Sequence, residues 1–445
     1  MKCYNWLKDQ GKSGKQMDTV PKRISATYLD RAIGFISFLI NLMIQVELKF
    51  SGALDIERLR KAVYLTLDVE PILGYHLVSH WHRPYFQRTN KDSITAFYST
   101  ESSAEFNSFR SELIDAYQGP QLKVYLYHSS NEDRLLIKVT HNVTDVGGLN
   151  KVASVISSIY HRLKDEPDYQ PIPNPAVSRG LWKVANQLKW YAYPRVYFNY
   201  LQGLLAQMPR QGTHTLHFEV GPLIPLDFVH KIIPEERVTR LREYAHANHA
   251  KLNDLIIAAI FRALIIEEKW DRQSYLRLNT SVDLRRWYLS NEQSNTIANL
   301  SAMEVISLKN DPGDSFLDTL ERVVAFMERR KSNYIGLSDL IGSLPIMLLP
   351  DVWGRKLYKR VVQRAINRNN IAPGLTNMGE IATDAVTFDF PPDSAWLFAP
   401  PYHPPYFLIG LSGYMGTLSL SSVVHPSHKD KVIQLFENVV SQLPV

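Results

Sequence analysis

Apolar and polar residues alternate from Ile44 to Phe50, with Ile44, Val46, Leu48 and Phe50 set against Gln45, Glu47 and Lys49. A period of two predicts a half-buried strand. The next stretch, "SGALDIERLRKAVYLTL", changes to a helical period with Asp55 near its start, where a cap is expected. Two β-rich runs, "QLKVYLYH" and "RLLIKVT", flank the turn-forming "SSNED" and predict a hairpin. After Gly147 and Gly148 the period is helical again, with Leu149, Val152, Ala153, Ile156 and Ile159 on one face. A second series follows: the apolar helix "LNDLIIAAIFRALI", the strand "YLRLNTSVDL", and an amphipathic helix from Ser315, where Ser315 and Asp318 resemble a capping box. "AVTFDF", "YFLIGLSGY" and "TLSLSSVV" read as strands, and a last helix carries Val432, Leu435, Phe436, Val439 and Leu443.

Strands and helices thus recur on both sides of "EPDYQPIPNPA", Glu166 to Ala176, a proline-rich stretch that reads as a linker. A chain of 445 residues exceeds one ordinary core. The expectation is an α/β protein of two lobes: one over 1–175, a crossover over 176–215, and one over 216–445.

Charge narrows the partners only a little. Fifty basic against 44 acidic residues leave +6, which suits an anionic ligand, but no Lys/Arg tract or nucleic-acid fingerprint accompanies it, so no nucleic-acid partner is expected. The single cysteine, Cys3, excludes an internal disulfide and fits a reducing compartment. "AIGFISFLINLMIQV" is short of the roughly 18 apolar residues of a spanning helix and lies too late for a signal peptide. It reads as core, and the expectation is a cytoplasmic protein with no transmembrane segment.

The candidate chemistry sits in "VTHNVTDVGGL", Val139 to Leu149: a strand ends, His141 and Asp145 follow four apart, and Gly147 and Gly148 open a helix. Taken alone, HxxxD is as well explained by a structural histidine beside a turn aspartate. At the end of a buried strand, however, a neutral imidazole with a pKa near 6.5 is placed to take a proton from an alcohol or amine. Glycine amides at a helix N-terminus would support the developing oxyanion.

"THNVTDVGG" resembles the HHxxxDG motif of the CoA-dependent acyltransferase superfamily, which includes condensation domains, wax-ester synthases, alcohol acetyltransferases and chloramphenicol acetyltransferase. The likeness extends along the chain. "GALDIERLRKAVYLTLDVEPILGYHL" is similar to the family's early helix and "HPILR" segment, "KLNDLIIAAIFRAL" to its second-lobe helix, "NTSVDLRRW" to the strand with a characteristic arginine, and "LTNMGEI" to the "SNxG" segment. The resemblance implies two chloramphenicol-acetyltransferase-like lobes with mixed sheets and an active-site tunnel between them. It implies His141 as general base, a structural Asp145–Arg285 pair, and Asn377 beside the tunnel. It implies an acyl-CoA or acyl carrier protein as donor, a small alcohol or amine as acceptor, and no metal or redox cofactor. This chain departs from the motif at Thr140, which replaces the first histidine, and at Val146, which replaces the glycine after the aspartate. A condensation-type enzyme restricted to carrier-bound substrates, and a non-catalytic scaffold of the same fold, are the alternatives.

Three other constellations carry weaker signals. His76, His80 and His82 would share a face if "YHLVSHWHR" were one strand, but no HExxH or carboxylate-rich partner accompanies them. Arg179 to Arg210 contains many aromatics and no acid; a helix pair packed across the lobes is favoured over a membrane-surface segment or an acyl-chain channel, because Pro194 interrupts a long helix. "GRKLYKRVVQRAINR" gathers basic residues that include Arg360 and Arg364. Such a run is ordinarily a solvated helix face, and given a thioester donor it would meet CoA phosphates or an acidic carrier.

Overall fold

The computed structural model describes residues 20–174, 179–181, 184, 188–207, 213–214, 218–219, 221–268, 275–287, 297–309, 311, 313–368 and 371–444. Two sheets organise two lobes, and the alternating strands read from sequence form their centres.

In the first lobe Met43–Phe50 pairs antiparallel with Asp133–Thr140, register Ile44 to Val139 and Leu48 to Leu135, and the hairpin partner Leu122–His128 lies on the other side. Phe97–Thr100 adds in parallel at one edge, which makes the sheet mixed. Helices Ile56–Val69 and Val146–Asp165 cover one face, burying Leu59, Val63, Val152, Ile156 and Ile159 with Val46, Leu48, Ile137 and Val139. Asp55 caps the first of these helices by accepting from the Arg58 amide at 3.0 Å.

The opposite edge of this sheet comes from far along the chain. Ser394–Phe398 pairs antiparallel with Met43–Phe50, so a strand from the 216–445 stretch completes the first lobe, and Phe388, Ala395 and Leu397 join its core. Sequence expected a strand at "AVTFDF"; the structure instead makes a 3-10 turn at Thr383–Ala385 followed by irregular chain. Val386 and Phe388 are buried one by one, and Pro391 and Pro392 cannot donate to a ladder at its end. A second correction concerns Met43–Phe50 itself: Gln45 and Glu47 are buried, not solvated. Glu47 is held 2.9 Å from Arg110 of the helix Ser103–Ser111, and the Arg110 guanidinium lies over the Phe228 ring, so the end of that helix and the second lobe together cover the face that alternation assigned to water.

The second sheet runs in the order Ser301–Lys309, Tyr275–Asp283, Gly374–Glu380, Leu408–Tyr414, Thr417–Val424, Asp227–Ile233, with Thr213–His214 pairing beside Tyr275. Gly374–Glu380 is parallel to both neighbours and the remaining pairs of that order are antiparallel. Helices Leu252–Glu268, Phe316–Ser332 and Lys429–Gln442 bury Ile256, Ile260, Leu320, Val323, Leu435 and Phe436 against it. The Ser315–Asp318 capping box closes reciprocally at 3.2 and 2.8 Å. A small antiparallel sheet of Arg23–Ser25, Tyr85–Arg88 and Tyr75–Val78 completes the strands. Among the described residues no helix is long and apolar enough to cross a membrane.

Candidate active site

The motif strand ends at Thr140 and the next helix starts at Val146, so His141 to Asp145 form a short loop. Facing it across the lobe junction is the segment Ala298–Leu300, which enters the strand Ser301–Lys309. The backbone amide of His141 is fixed by donation to the Leu42 carbonyl at 2.7 Å.

The imidazole Nδ1 lies 2.7 Å from the Thr144 carbonyl and 3.0 Å from Asn299 Oδ1. The Asn299 amide cannot be turned the other way without loss, because its Nδ2 donates to Asp30 Oδ1 and to the His141 carbonyl, each at 2.9 Å. Both neighbours of Nδ1 are therefore acceptors. Nδ1 carries the proton and Nε2 carries the lone pair. Burial pushes the His141 pKa below its ordinary value against the opposing hydrogen bond to Thr144 and the charge of Asp145. The result is a neutral imidazole of defined tautomer at neutral pH.

Behind Asn299 stands a charged support. Asp30 is buried and pairs with Arg179 at 3.0 Å, while Arg179 also donates to the carbonyls of Val143, at 2.7 Å, and Ile297, at 3.1 Å. Asp30 closes the capping box with Thr27 as well, so the helix Tyr28–Phe35 is tied to the histidine loop. Sequence reasoning gave no site role to Asn299, Asp30 or Arg179. Their only local signal is the Thr27–Asp30 cap spacing.

Asp145 serves the loop's other end. Its Oδ1 accepts from the Gly148 amide at 3.1 Å as the helix N-cap, and its Oδ2 accepts from the Leu300 amide at 2.8 Å and from Arg285 Nη1 at 2.9 Å. Arg285 also donates to the Ala298 carbonyl at 3.0 Å and to Asp283 at 3.2 Å. Burial opposes its charge, but these two carboxylates hold its pKa above the ordinary value. The Gly148 amide expected to serve an oxyanion is thus occupied by Asp145. The requirement at Gly148 is one of space: a Cβ there would stand 1.7 Å from Thr144 Oγ1. Gly147 is exposed, and a Cβ there would meet Arg285 Nη1 at 2.8 Å.

Thr140 has its own partner in place of a first histidine. Its hydroxyl donates to Gln121 Oε1, and Gln121 is oriented by donating to the Tyr75 and Ala116 carbonyls, each at 2.9 Å. Asn377 is exposed; its Oδ1 accepts from Gly379, which has φ +77°, and its Nδ2 donates to Asn253, both at 3.0 Å. Its side chain holds a turn in an irregular strand.

Two cavities flank the segment bridge between Ile40 and Tyr402. One, of about 680 Å³, reaches Leu42 and Asn142, the neighbours of His141, and is lined also by Leu113–Tyr117, Pro222–Ile224 and His403. The other, of about 550 Å³, lies under the helix Asp351–Asn367 and is bordered by Arg364; Arg360 is exposed on that helix. The remaining sequence candidates separate. His76 is in the strand Tyr75–Val78 and meets Thr89 at 3.0 Å, whereas His80 folds into a turn and accepts from the Arg83 amide at 3.3 Å, so the three histidines do not share a strand face. No group of potential metal ligands occurs among the described residues. Within Arg179 to Arg210, the helix Ala192–Gln207 carries Pro194 in its first turn, where the missing amide costs nothing, and turns Tyr193, Tyr197 and Phe198 outward.

No protein-family model and no curated protein matches the chain. Solved structures do. Polyketide synthase associated protein 5 from Mycobacterium tuberculosis is 16% identical with a TM-score of 0.62, over 94% of this chain and 97% of that one. The first condensation domain of the calcium-dependent antibiotic synthetase, with a substrate analogue, is 17% identical with a TM-score of 0.67, over 95% and 96%. Trichothecene 15-O-acetyltransferase from Fusarium sporotrichioides is 12% identical with a TM-score of 0.65, over 95% of each chain. The two-lobed α/β fold is therefore the fold of condensation domains and acetyltransferases.

Proposed function

We propose that this chain, which shares the fold of condensation domains and of an acetyltransferase, moves an acyl group from a pantetheine thioester, on coenzyme A or a carrier protein, to an alcohol or amine. The observation that carries the reading is the tautomer of His141, with Nδ1–H engaged by Thr144 and Asn299 and the basic Nε2 left for substrate.

The steps follow from that lone pair. Nε2 accepts the acceptor's O–H or N–H proton while the acceptor's oxygen or nitrogen bonds to the thioester carbonyl carbon and the C=O electron pair moves onto oxygen. Collapse of this intermediate restores the carbonyl and breaks the C–S bond. The imidazolium returns its proton to sulfur, which leaves as a thiol, and His141 is neutral again. Asp145, Arg285 and Asn299 act by holding the loop, since none needs to touch a reacting atom in these steps. Arg360, exposed on its helix, is available to the donor's phosphates or to an acidic carrier.

Thiol release with a panel of acyl-CoAs and with acylated carrier proteins, each with an alcohol and an amine acceptor, tests the reading. Turnover that collapses in folded His141→Ala supports it. Turnover with carriers alone makes the protein a condensation-type enzyme. Folded wild-type protein inert with every donor leaves a scaffold. For the donor's charged end, Arg360→Glu should raise the Michaelis constant for acyl-CoA and spare that for a short pantetheine thioester, an effect that fades with salt.

A further inference from the structure

The 550 Å³ cavity under the helix Asp351–Asn367 has an unusual division of surface. Arg277, Arg364 and Arg368 line it, from a strand of the second sheet and from the end of the helix, together with the phenols of Tyr358, Tyr402 and Tyr406. No aspartate or glutamate is among the described residues that line it. Apart from Asn279, whose Nδ2 donates to the Ala372 carbonyl at 3.4 Å, the rest of the wall is apolar, including Ile36, Leu39, Val362, Ile371 and Phe407. Arg277 is buried while Arg364 and Arg368 are exposed, so guanidinium groups line the cavity from the interior to the mouth. Burial raises the Tyr402 and Tyr406 phenols to about 12, which leaves both as neutral donors at any working pH.

We infer that this cavity binds an amphiphilic anion: an apolar body lying on the aliphatic wall, with a carboxylate or phosphate held by the guanidinium groups. Arginine is suited to both headgroups because its planar fork gives two parallel hydrogen bonds to either. The apolar wall distinguishes this ligand from the adenosine diphosphate end of coenzyme A, which is polar along its whole length. The volume lies within the range of small-molecule sites. The inference concerns binding and goes beyond the acyl-transfer reading; within that reading, the ligand is a substrate that bears its own anionic end.

Isothermal titration calorimetry tests it with four probes: decanoate, decyl phosphate, decanol and inorganic phosphate. At least one of the two decyl anions should bind at least about 10-fold more tightly than decanol and than inorganic phosphate, the scale of charge-assisted hydrogen bonds added to apolar contact. The better of the two anions assigns the headgroup. Arg364→Gln with Arg368→Gln, both exposed and so compatible with folding, should weaken the better anion about 10-fold or more while leaving decanol unchanged. Arg277→Met, checked by thermal unfolding, should weaken it as well where the variant remains folded. His141→Ala should bind like the wild type, which separates a failure of this inference from a failure of acyl transfer. Binding of the better anion no tighter than that of decanol or of inorganic phosphate, no binding of either anion, or an unaffected double variant overturns the proposal.

Discussion

Asn299 Oδ1 lies 3.0 Å from His141 Nδ1, and the same Asn299 side chain donates to the His141 carbonyl at 2.9 Å. One buried amide thus grips both the ring and the backbone of the histidine. The Thr144 carbonyl, 2.7 Å from Nδ1, fixes the same tautomer from within the loop, and Asn299 adds a tie between ring and backbone across the lobe junction.

If Nε2 is the base, His141→Ala lowers turnover by about 10²-fold or more, the range for lost general acid–base help, in a protein that still folds. Steady-state kinetics with a matched unfolding curve measure this. Near-normal turnover would remove His141 from the chemistry.

Asn299 is assigned as a positioning residue, and its substitutions should separate that role from simple stability. Asn299→Asp places a carboxylate beside Nδ1, favours the imidazolium and moves the acid limb of the pH–rate profile upward, whereas Asn299→Ala lowers kcat without that shift. A profile that moves in neither variant would leave Asn299 as a structural group only.

Asp145→Asn should lower Tm and activity together. An amide can replace one acceptor oxygen, but its NH2 then faces either the Gly148 amide or the Leu300 amide and Arg285, and the largely buried guanidinium loses one of its two charged partners, keeping only the more exposed Asp283, at a cost of about 1–3 kcal/mol. Normal melting with abolished turnover would instead place Asp145 in the reaction.

At Gly148 the cause is steric, so a second substitution should relieve the first. Gly148→Ala drives a methyl into Thr144 Oγ1 and should cost about 1–3 kcal/mol. Thr144→Ala removes that hydroxyl, and the double variant should recover much of the loss in urea unfolding. Strict additivity of the two losses would refute the contact as the cause.

The lowered His141 pKa also has a pH signature. The unfolded chain protonates this histidine near pH 6.5 and the folded protein only below that, so between the two values the unfolded state binds more protons. Stability from this group is intact above about pH 6.5 and falls as pH drops through that window. The decline in Tm between about pH 7.5 and 5.5 should be shallower in His141→Gln than in the wild type; parallel declines would mean that another group governs the acid limit.

The strand–loop–helix junction was legible because its information is local. Val139 lies at the end of a β-rich run, Gly147 and Gly148 precede a helical period, and neighbouring side chains report on the same backbone. The same held for Asp55 and for Ser315 with Asp318, since a cap and its amide lie three residues apart. Where local pattern and tertiary cover disagreed, cover won. Gln45 and Glu47 alternate as solvent-facing residues should, yet the helix Ser103–Ser111 and the second lobe bury them, and "AVTFDF" has the composition of a strand while the strand that pairs at the edge of the first sheet is Ser394–Phe398.

What His141 can do was decided by partners that periodicity does not reach. HxxxD by itself leaves the ring free to be a turn histidine or a base, and only a neighbour that accepts from Nδ1 leaves Nε2 basic. One such neighbour, the Thr144 carbonyl, is three residues away in the loop; the other, Asn299, stands 158 residues away, and Asp30, which orients it, stands 269 residues from Asn299. A hydrogen bond between such positions exists only once both lobes have packed. The chain alone therefore determined where an imidazole sits in the backbone; the loop carbonyl of Thr144 and the packed lobes together determined its tautomer, and burial between the lobes determined its charge.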